Sequence, residues 1–461
     1  MEAPSARELA AATPTTRDRY VDLLRVVALL AVMLGHFLMT GVVVSDDGAV
    51  RVTNTLVPVP GAQPLTWLFQ VMPVFFAVGG FSHATALTSL AGRGGTYADF
   101  VVSRVDRLLR PTVAFVLVGL AAGAVVEQLD RLDDRAVMVL RVVGQPLWFV
   151  GIYLAVVGFA PWMLRAHRRW GWRVLAVLAV LAVVVDVLRI GLDVPYVGYL
   201  NFAFVWLAVH QCGFWYADGV PQRGGLPFAA VLSASGFAVA GLLVAVGPYP
   251  LSMVSLPGER VSNMTPPSVT LLAFSAGLLG LALLLRGPAT RWLAHRRPWT
   301  VVVAANGVAM TAFLWHFSAI VIVNGALYLA GAPVFPPVGS LRWWVLRIPL
   351  LVLVAFALAA LVAVFRRFEA PRRFPVPPLP LRRAHRDGIA GLGLAVALLG
   401  VLGFSVAGFA GVLSMRTATL VVVPMSPLPS AVLLVVGTLA VRWAASARGR
   451  PPLGSGPVEQ P

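Results

Sequence analysis

The chain has 461 residues, of which 59% are hydrophobic and only 12% charged, with a formal net charge of +17. A soluble domain carries about a quarter charged residues, so that class is excluded, and a mean hydropathy of +0.84 marks a membrane protein. The basic excess is all arginine, without a lysine, and no basic stripe interleaved with aromatic residues is present to suggest a nucleic-acid partner.

Residues 1–16 are rich in Ala, Pro and charge and read as a disordered tail. The first apolar run, 21–43, contains Arg25 and His36, eleven residues apart. On a helix that is close to three turns, so the two side chains share a face and are separated by roughly 16 Å along the axis. Ionisable groups in a span are costly and ordinarily face a bundle interior or a wet cavity. Asp22 lies one turn below Arg25, placed to neutralise it. Two readings follow: a polar passage up one side of the helix, or an Arg25 that snorkels to the interface beside a His36 bonded to a neighbouring helix. The run is too long for a signal-peptide core and is followed by Ser45, Asp46 and Asp47 instead of a small-residue cleavage site, so it reads as an uncleaved anchor.

The second run, 64–90, carries Gly79 and Gly80, which permit close helix approach. Arg104, Arg107 and Arg110 then lead into the third run, 111–128, just before Pro111. Spaced by three, they form a compact cationic patch, fit either for phosphate recognition or as a membrane anchor. Further runs at 146–164, 174–191, 196–217, 226–246, 267–285, 299–325, 342–365, 388–413 and 427–443 bring the total to about twelve spans with short loops. The fold class is therefore an all-α polytopic bundle.

Polar residues recur in a few of these spans. The sixth holds Asn201, Trp206, His210 and Gln211, along with the lone Cys212, which reads as a buried apolar residue. The ninth holds Asn306, Thr311, Trp315 and His316, with Asn306 and His316 ten residues apart near one helical face. His83 lies in the second span. Taken singly, such groups more often join helices by hydrogen bonds than catalyse. His167, His295 and His385 fall in Arg-rich loops and read as solvated. The pairs Arg366-Arg367 and Arg372-Arg373 look like anchors.

With a cytoplasmic N-terminus, 26 arginines fall in inside segments and 8 in outside loops, so both termini are expected in the cytoplasm of a plasma-membrane protein. No internal repeat is present, which weakens a transporter reading. No metal-ligand spacing and no phosphate-cradling Gly-rich loop is present, so neither a metal nor nucleotide hydrolysis is expected.

Together these segments resemble the membrane acyltransferase 3 family. The likeness rests on Arg19 to Arg25, the Arg25-x10-His36 spacing, and Phe75-Phe76 with Gly80-Phe81, where the family often has Ser at the place of Gly79. It continues through Arg104-x-x-Arg107 with Arg110-Pro111, and Leu147-Trp148-Phe149. Asn201 to Gly219, Tyr249 to Met253, Ser262 to Pro267 and Leu314-Trp315-His316 look like an actinobacterial branch of it. The resemblance covers roughly residues 17–370 and implies a ten-helix core. The expected organisation is a 1–16 tail, a 17–370 acyltransferase domain, a 371–445 unit with an Arg-rich loop and two extra spans, and a 446–461 tail.

The resemblance further implies O-acylation, carried from cytoplasmic acyl-CoA to a hydroxyl of a carbohydrate or lipid-linked acceptor in the cell envelope, amid membrane lipids. Under it His36 is the general base or a transient acyl carrier. Arg25, fixed by Asp22, binds donor phosphate or steadies the oxyanion. Arg104, Arg107 and Arg110 hold the phosphates of coenzyme A. His316, Asn263 and Asn201 orient the acceptor. The competing class is a secondary transporter or flippase, with Arg, His and Asp186 as a proton relay. A non-catalytic scaffold is a third reading, and it leaves the Arg25/His36 geometry unexplained.

Overall fold

A computed structural model describes residues 5–44, 50–369 and 382–446. The C-terminal tail expected at 446–461 lies almost wholly outside the described residues, as do Arg372 and Arg373. The N-terminal tail does not stay unstructured: Ser5 caps a short helix, α1 (Ala6–Ala11), through a capping box with Glu8. The buried Ala10 of α1 joins Trp299 and Leu293 in a small apolar cluster, which supplies the burial that composition alone does not reveal.

The polar face sits on α2 (Arg19–Met39), capped by Asp18 and followed by a hairpin of β1 (Thr40–Val44) and β2 (Val50–Asn54). A short α3 (Leu65–Phe69) precedes α4 (Met72–Ala91), which begins at Pro73, where the missing N–H costs nothing. The third span is longer than its hydropathy. α5 (Tyr97–Gln128) runs 32 residues with Pro111 inside it, so Arg104, Arg107 and Arg110 lie on the helix proper. The capping box of Thr96 and Asp99 starts this helix about two turns below Arg104.

Next come α6 (Asp134–Gly144), α7 (Leu147–Trp170) and α8 (Trp172–Asp186), then α9 (Asn201–Ala217), α10 (Val220–Val246) and α11 (Val269–Leu293). The ninth span divides. α12 (Arg296–Asn306) ends at Gly307, and α13 (Ala309–Leu329) starts afresh. The expectation that Asn306 and His316 share a helical face therefore fails. Asn306 instead donates to the Asp22 carbonyl of α2 at 3.2 Å, tying the break to the start of the first span. α14 (Leu341–Phe365), α15 (Arg383–Ala407), a small hairpin of β3 (Ala418–Leu420) and β4 (Val423–Met425), and α16 (Pro427–Ser446) complete the chain.

Among the described residues, eleven helices are long and apolar enough to cross a membrane. The twelfth expected span is α9, which at 17 residues is marginally short but sits buried against α4, α7 and α8. Large apolar side chains such as Leu30, Ile348 and Phe356 point outward, as they should where the surrounding medium is hydrocarbon. Helices approach closely where glycine allows it. A Cβ on Gly80 would lie 1.9 Å from the His210 carbonyl oxygen, and one on Gly213 would lie 2.0 Å from that of Ala77, so α4 and α9 meet backbone to backbone.

The two C-terminal helices grip α5. Arg386 pairs with Asp99 at 3.3 Å and donates to the Ala444 carbonyl at 2.9 Å, Asp387 accepts from Ala98 N, and Arg442 pairs with Asp106 at 2.7 Å. Because the Arg386–Asp99 pair is almost fully buried, Arg386→Ala is expected to lower the unfolding free energy by roughly 3 kcal/mol. Thermal unfolding of the detergent-purified variant checks this, and an unchanged midpoint would show that the pair contributes nothing.

Candidate active site

The site is built in two layers along α2. In the layer nearer the start of the helix, Asp22 is 5% exposed and accepts from two arginines. Arg17 grips it with two bonds, at 2.6 and 3.1 Å, and Arg25 reaches it at 3.4 Å. The expected Arg25–Asp22 pair is present, but the shorter contact belongs to Arg17, which pattern reading did not single out. The other arm of Arg25 donates to Ser82 Oγ on α4 at 3.1 Å. Arg104 and Arg107 of α5 lie within electrostatic range of Arg25 and of the Tyr153 phenol on α7. Arg104 stands over the Phe100 ring, and its buried Nε has no hydrogen-bond partner among the described residues. Arg107 is exposed and Arg110 half-buried.

A second acidic group closes this layer. Glu369, just past α14, accepts from Met310 N at 2.9 Å and Thr311 Oγ1 at 2.8 Å, capping α13 within range of Arg107. Burial pushes its carboxyl above the ordinary range, against those bonds. A carboxylate next to a helix start is a readable cap signal, but its helix lies nearly 60 residues upstream, so no local pattern reports it.

The second layer lies farther along α2. His36 Nδ1 is 2.8 Å from His316 Nε2 of α13, and the two rings lie nearly parallel, 12° apart, with centroids separated by 5.1 Å. Phe317 packs against both rings, 4.8 Å from His36 and 4.5 Å from His316. The tautomers follow from the partners. His316 Nδ1 faces the Phe313 carbonyl, which only accepts, so that nitrogen carries the proton. His316 Nε2 is then an acceptor in the neutral ring, and His36 Nδ1–H donates to it. What remains on His36 is a bare Nε2 lone pair, a base held by a second imidazole.

Aromatic rings separate the two layers. Phe149 meets Phe75 at 4.9 Å, Tyr153 at 5.9 Å and Phe313 at 5.1 Å, and Phe313 meets His316 at 5.6 Å. The shared face of α2 thus divides its contacts: Arg25 turns to α4, and His36 turns to α13.

The remaining predicted residues lie elsewhere or are structurally engaged. Asn201 donates to Asp186 Oδ1 at 3.0 Å, and Asp186 also takes Arg189, Tyr249 OH and Val269 N. Both carboxylate oxygens are occupied, which suits a helix-joining hub better than a proton relay. Asn263 spends its amide on the Pro250 and Ser252 carbonyls and accepts from Ser268 Oγ, so it ties its own loop together. His83 pairs with His210 at 2.9 Å, with Tyr153 OH 3.4 Å from its other nitrogen. His167 is not solvated: it is buried, 2.8 Å from Asp218 and bonded by Gln211. His295 and His385 are exposed, as read. A cavity of about 360 Å³ opens between α2, α4 and α8 to α11, lined by side chains such as Leu24, Val78, Phe228 and Leu279. It touches neither histidine of the pair nor any arginine, so the chemistry does not lie there.

The fold is a polytopic membrane bundle that carries guanidinium groups in one layer and paired imidazoles in the next. The profile of a family described as an acyltransferase domain matches residues 18–365, more than half of the chain, and the chain belongs to this acyltransferase 3 family. Helices α15 and α16 lie beyond the matched segment. No curated protein and no solved structure matches.

Proposed function

We propose that the protein moves an acyl group from acyl-CoA to a hydroxyl of a carbohydrate or lipid-linked acceptor, with His36 as the base. The observation that carries this reading is the His36–His316 pair, whose hydrogen bonds leave His36 Nε2 as an unprotonated acceptor. Family membership supplies the acyl transfer. In the reaction, Nε2 takes the acceptor's hydroxyl proton as its oxygen attacks the thioester carbonyl. The C–S bond breaks, coenzyme A leaves as thiolate, and the imidazolium proton goes to the thiolate sulfur, so protons balance over one turnover. The same lone pair serves a transient acyl-imidazole route.

The arginine layer suits the donor's phosphates: Arg104 has an unused buried donor, and Arg25 and Arg107 add charge nearby. Arg25 already holds Asp22 and Ser82 and stands below the aromatic layer, which favours phosphate binding over oxyanion stabilisation. We place the protein in the plasma membrane, and the arginine distribution favours the arginine layer and both termini toward the cytoplasm.

The test is thiol release from radiolabelled acetyl-CoA by purified protein, with and without an envelope extract. Acceptor-dependent release with the label appearing in a glycan or lipid is expected. Solute uptake into liposomes without acyl loss would replace this reading with a transporter.

A further inference from the structure

One buried cation has no place in this scheme. Arg347 of α14 is 7% exposed and lies within a membrane-spanning helix. Its guanidinium stands 4.0 Å over the Trp343 ring and 5.1 Å from that of Phe37, and Nη2 donates to the Thr40 carbonyl. Among the described residues it makes no ion pair, and its Nε is buried without a hydrogen-bond partner. The C-terminal end of α2 and the two aromatic faces offset part of the charge. They leave a donor unused where an unsatisfied charged group is costly.

The position of this cation matters. Thr40 lies one turn past His36 on α2, away from Arg25, and its hydroxyl donates to the His36 carbonyl at 2.8 Å. Phe37, Phe317, Ile320 and Leu350 form the apolar junction of α2, α13 and α14 in which both Arg347 and the histidine pair sit. Buried guanidinium Nε atoms without a hydrogen-bond partner among the described residues also occur on Arg104, which belongs to the proposed donor site, and on Arg189, which pairs with Asp186. Of these three, Arg347 has neither an ion pair nor a place in the donor site.

We propose that Arg347 marks a subsite for an anionic group, a carboxylate or a phosphate, carried by the acceptor next to the hydroxyl that is acylated. This rests on the acyltransferase reading for the word acceptor, but the anion site stands on its own geometry. Arginine presents a planar fork of donors to such groups, and a desolvated setting strengthens each bond. An acceptor held this way brings its hydroxyl toward His36 at the junction of α2, α13 and α14 that the two residues share. A neutral sugar hydroxyl can accept from the buried Nε but leaves the guanidinium charge unbalanced.

The test uses the full-length protein in detergent with Arg104→Ala and Arg107→Ala, so that the donor site does not compete. Glucuronate, glycerol 3-phosphate and glucose are titrated, and affinities are read from the shift in thermal unfolding. The anions should stabilise the protein and glucose should not, and Arg347→Gln should weaken anion binding by about tenfold or more. A preference for glycerol 3-phosphate points to a phosphate-bearing acceptor, and one for glucuronate to a carboxylated sugar. Equal anion affinity in Arg347→Gln, or glucose binding as well as glucuronate, overturns the proposal. If Arg347→Gln does not yield monodisperse protein, Arg347→Lys serves: loss of the planar fork should weaken binding severalfold, and unchanged affinity overturns the proposal. No thioester is consumed in this measurement, so a missing transferase activity and a missing anion site are separate results.

Discussion

His36→Ala should abolish acyl transfer, lowering kcat by about 10²–10⁴-fold, the range a positioned general base supplies. The variant should fold, because His36 is half-buried and its ring contacts, Phe317 and His316, pack against each other without it. His316 acts on the substrate only through His36, so it is a positioning residue, and its loss should be milder. With Phe at 316 a ring remains to pack against Phe317, but the acceptor for His36 Nδ1–H is gone, and the base loses its fixed tautomer. His316→Phe should therefore lower kcat by about 10- to 100-fold, leave the donor KM unchanged and shift the acid limb of the pH–rate profile. In the wild type that limb falls with decreasing pH, since protonation removes the Nε2 lone pair. Acylation by His36→Ala at the wild-type rate would remove the pair from the chemistry, whatever the family.

Much of this arrangement was legible from residue types alone, for a physical reason. A bilayer punishes every misplaced charge, so Arg25, His36 and His316 stand out against their spans, and hydropathy delimits most helices to within a turn or two. Cross-chain pairing was not legible. His36 and His316 both qualified as polar residues in spans, yet nothing local says that residues 280 apart share a hydrogen bond. Nor does the sequence show that Asn201 and Asn263, expected to orient the acceptor, hydrogen-bond to Asp186 and to loop carbonyls. It also left Arg17 and Glu369 unnoticed, although each engages the arginine layer. The break at Gly307 is not legible because the largely apolar run 299–325 reads straight through it; Asn306 at the break donates to α2, a tertiary contact. Arginines surround His167 in sequence, which predicts a solvated ring, whereas in space it is buried and hydrogen-bonded to Gln211 and Asp218.

The arginine layer carries the second large expectation. Arg104 and Arg107 sit one turn apart on α5, and Arg104 has a buried donor with nothing to bind. A charge-assisted bond to phosphate is worth about 1.5–3 kcal/mol, but Arg107 is exposed and solvent screens its share. Arg104→Ala combined with Arg107→Ala should therefore weaken acetyl-CoA binding by about 10²-fold, with most of the loss attributable to Arg104. At saturating donor kcat should fall little, because the double variant leaves His36 and its partner in place. Two further signatures separate binding from anchoring. Wild-type affinity should decline with rising salt and the variant's slope should be shallower, since part of the charge contact is gone. Arg366→Ala with Arg367→Ala, which removes equal charge from the chain just past the end of α14, should leave donor affinity within about twofold, as expected for exposed arginines that serve as anchors. Calorimetric titration with acetyl-CoA reads both pairs. If the two double variants bind alike, the α5 arginines are anchors and the donor's phosphates are held by other groups.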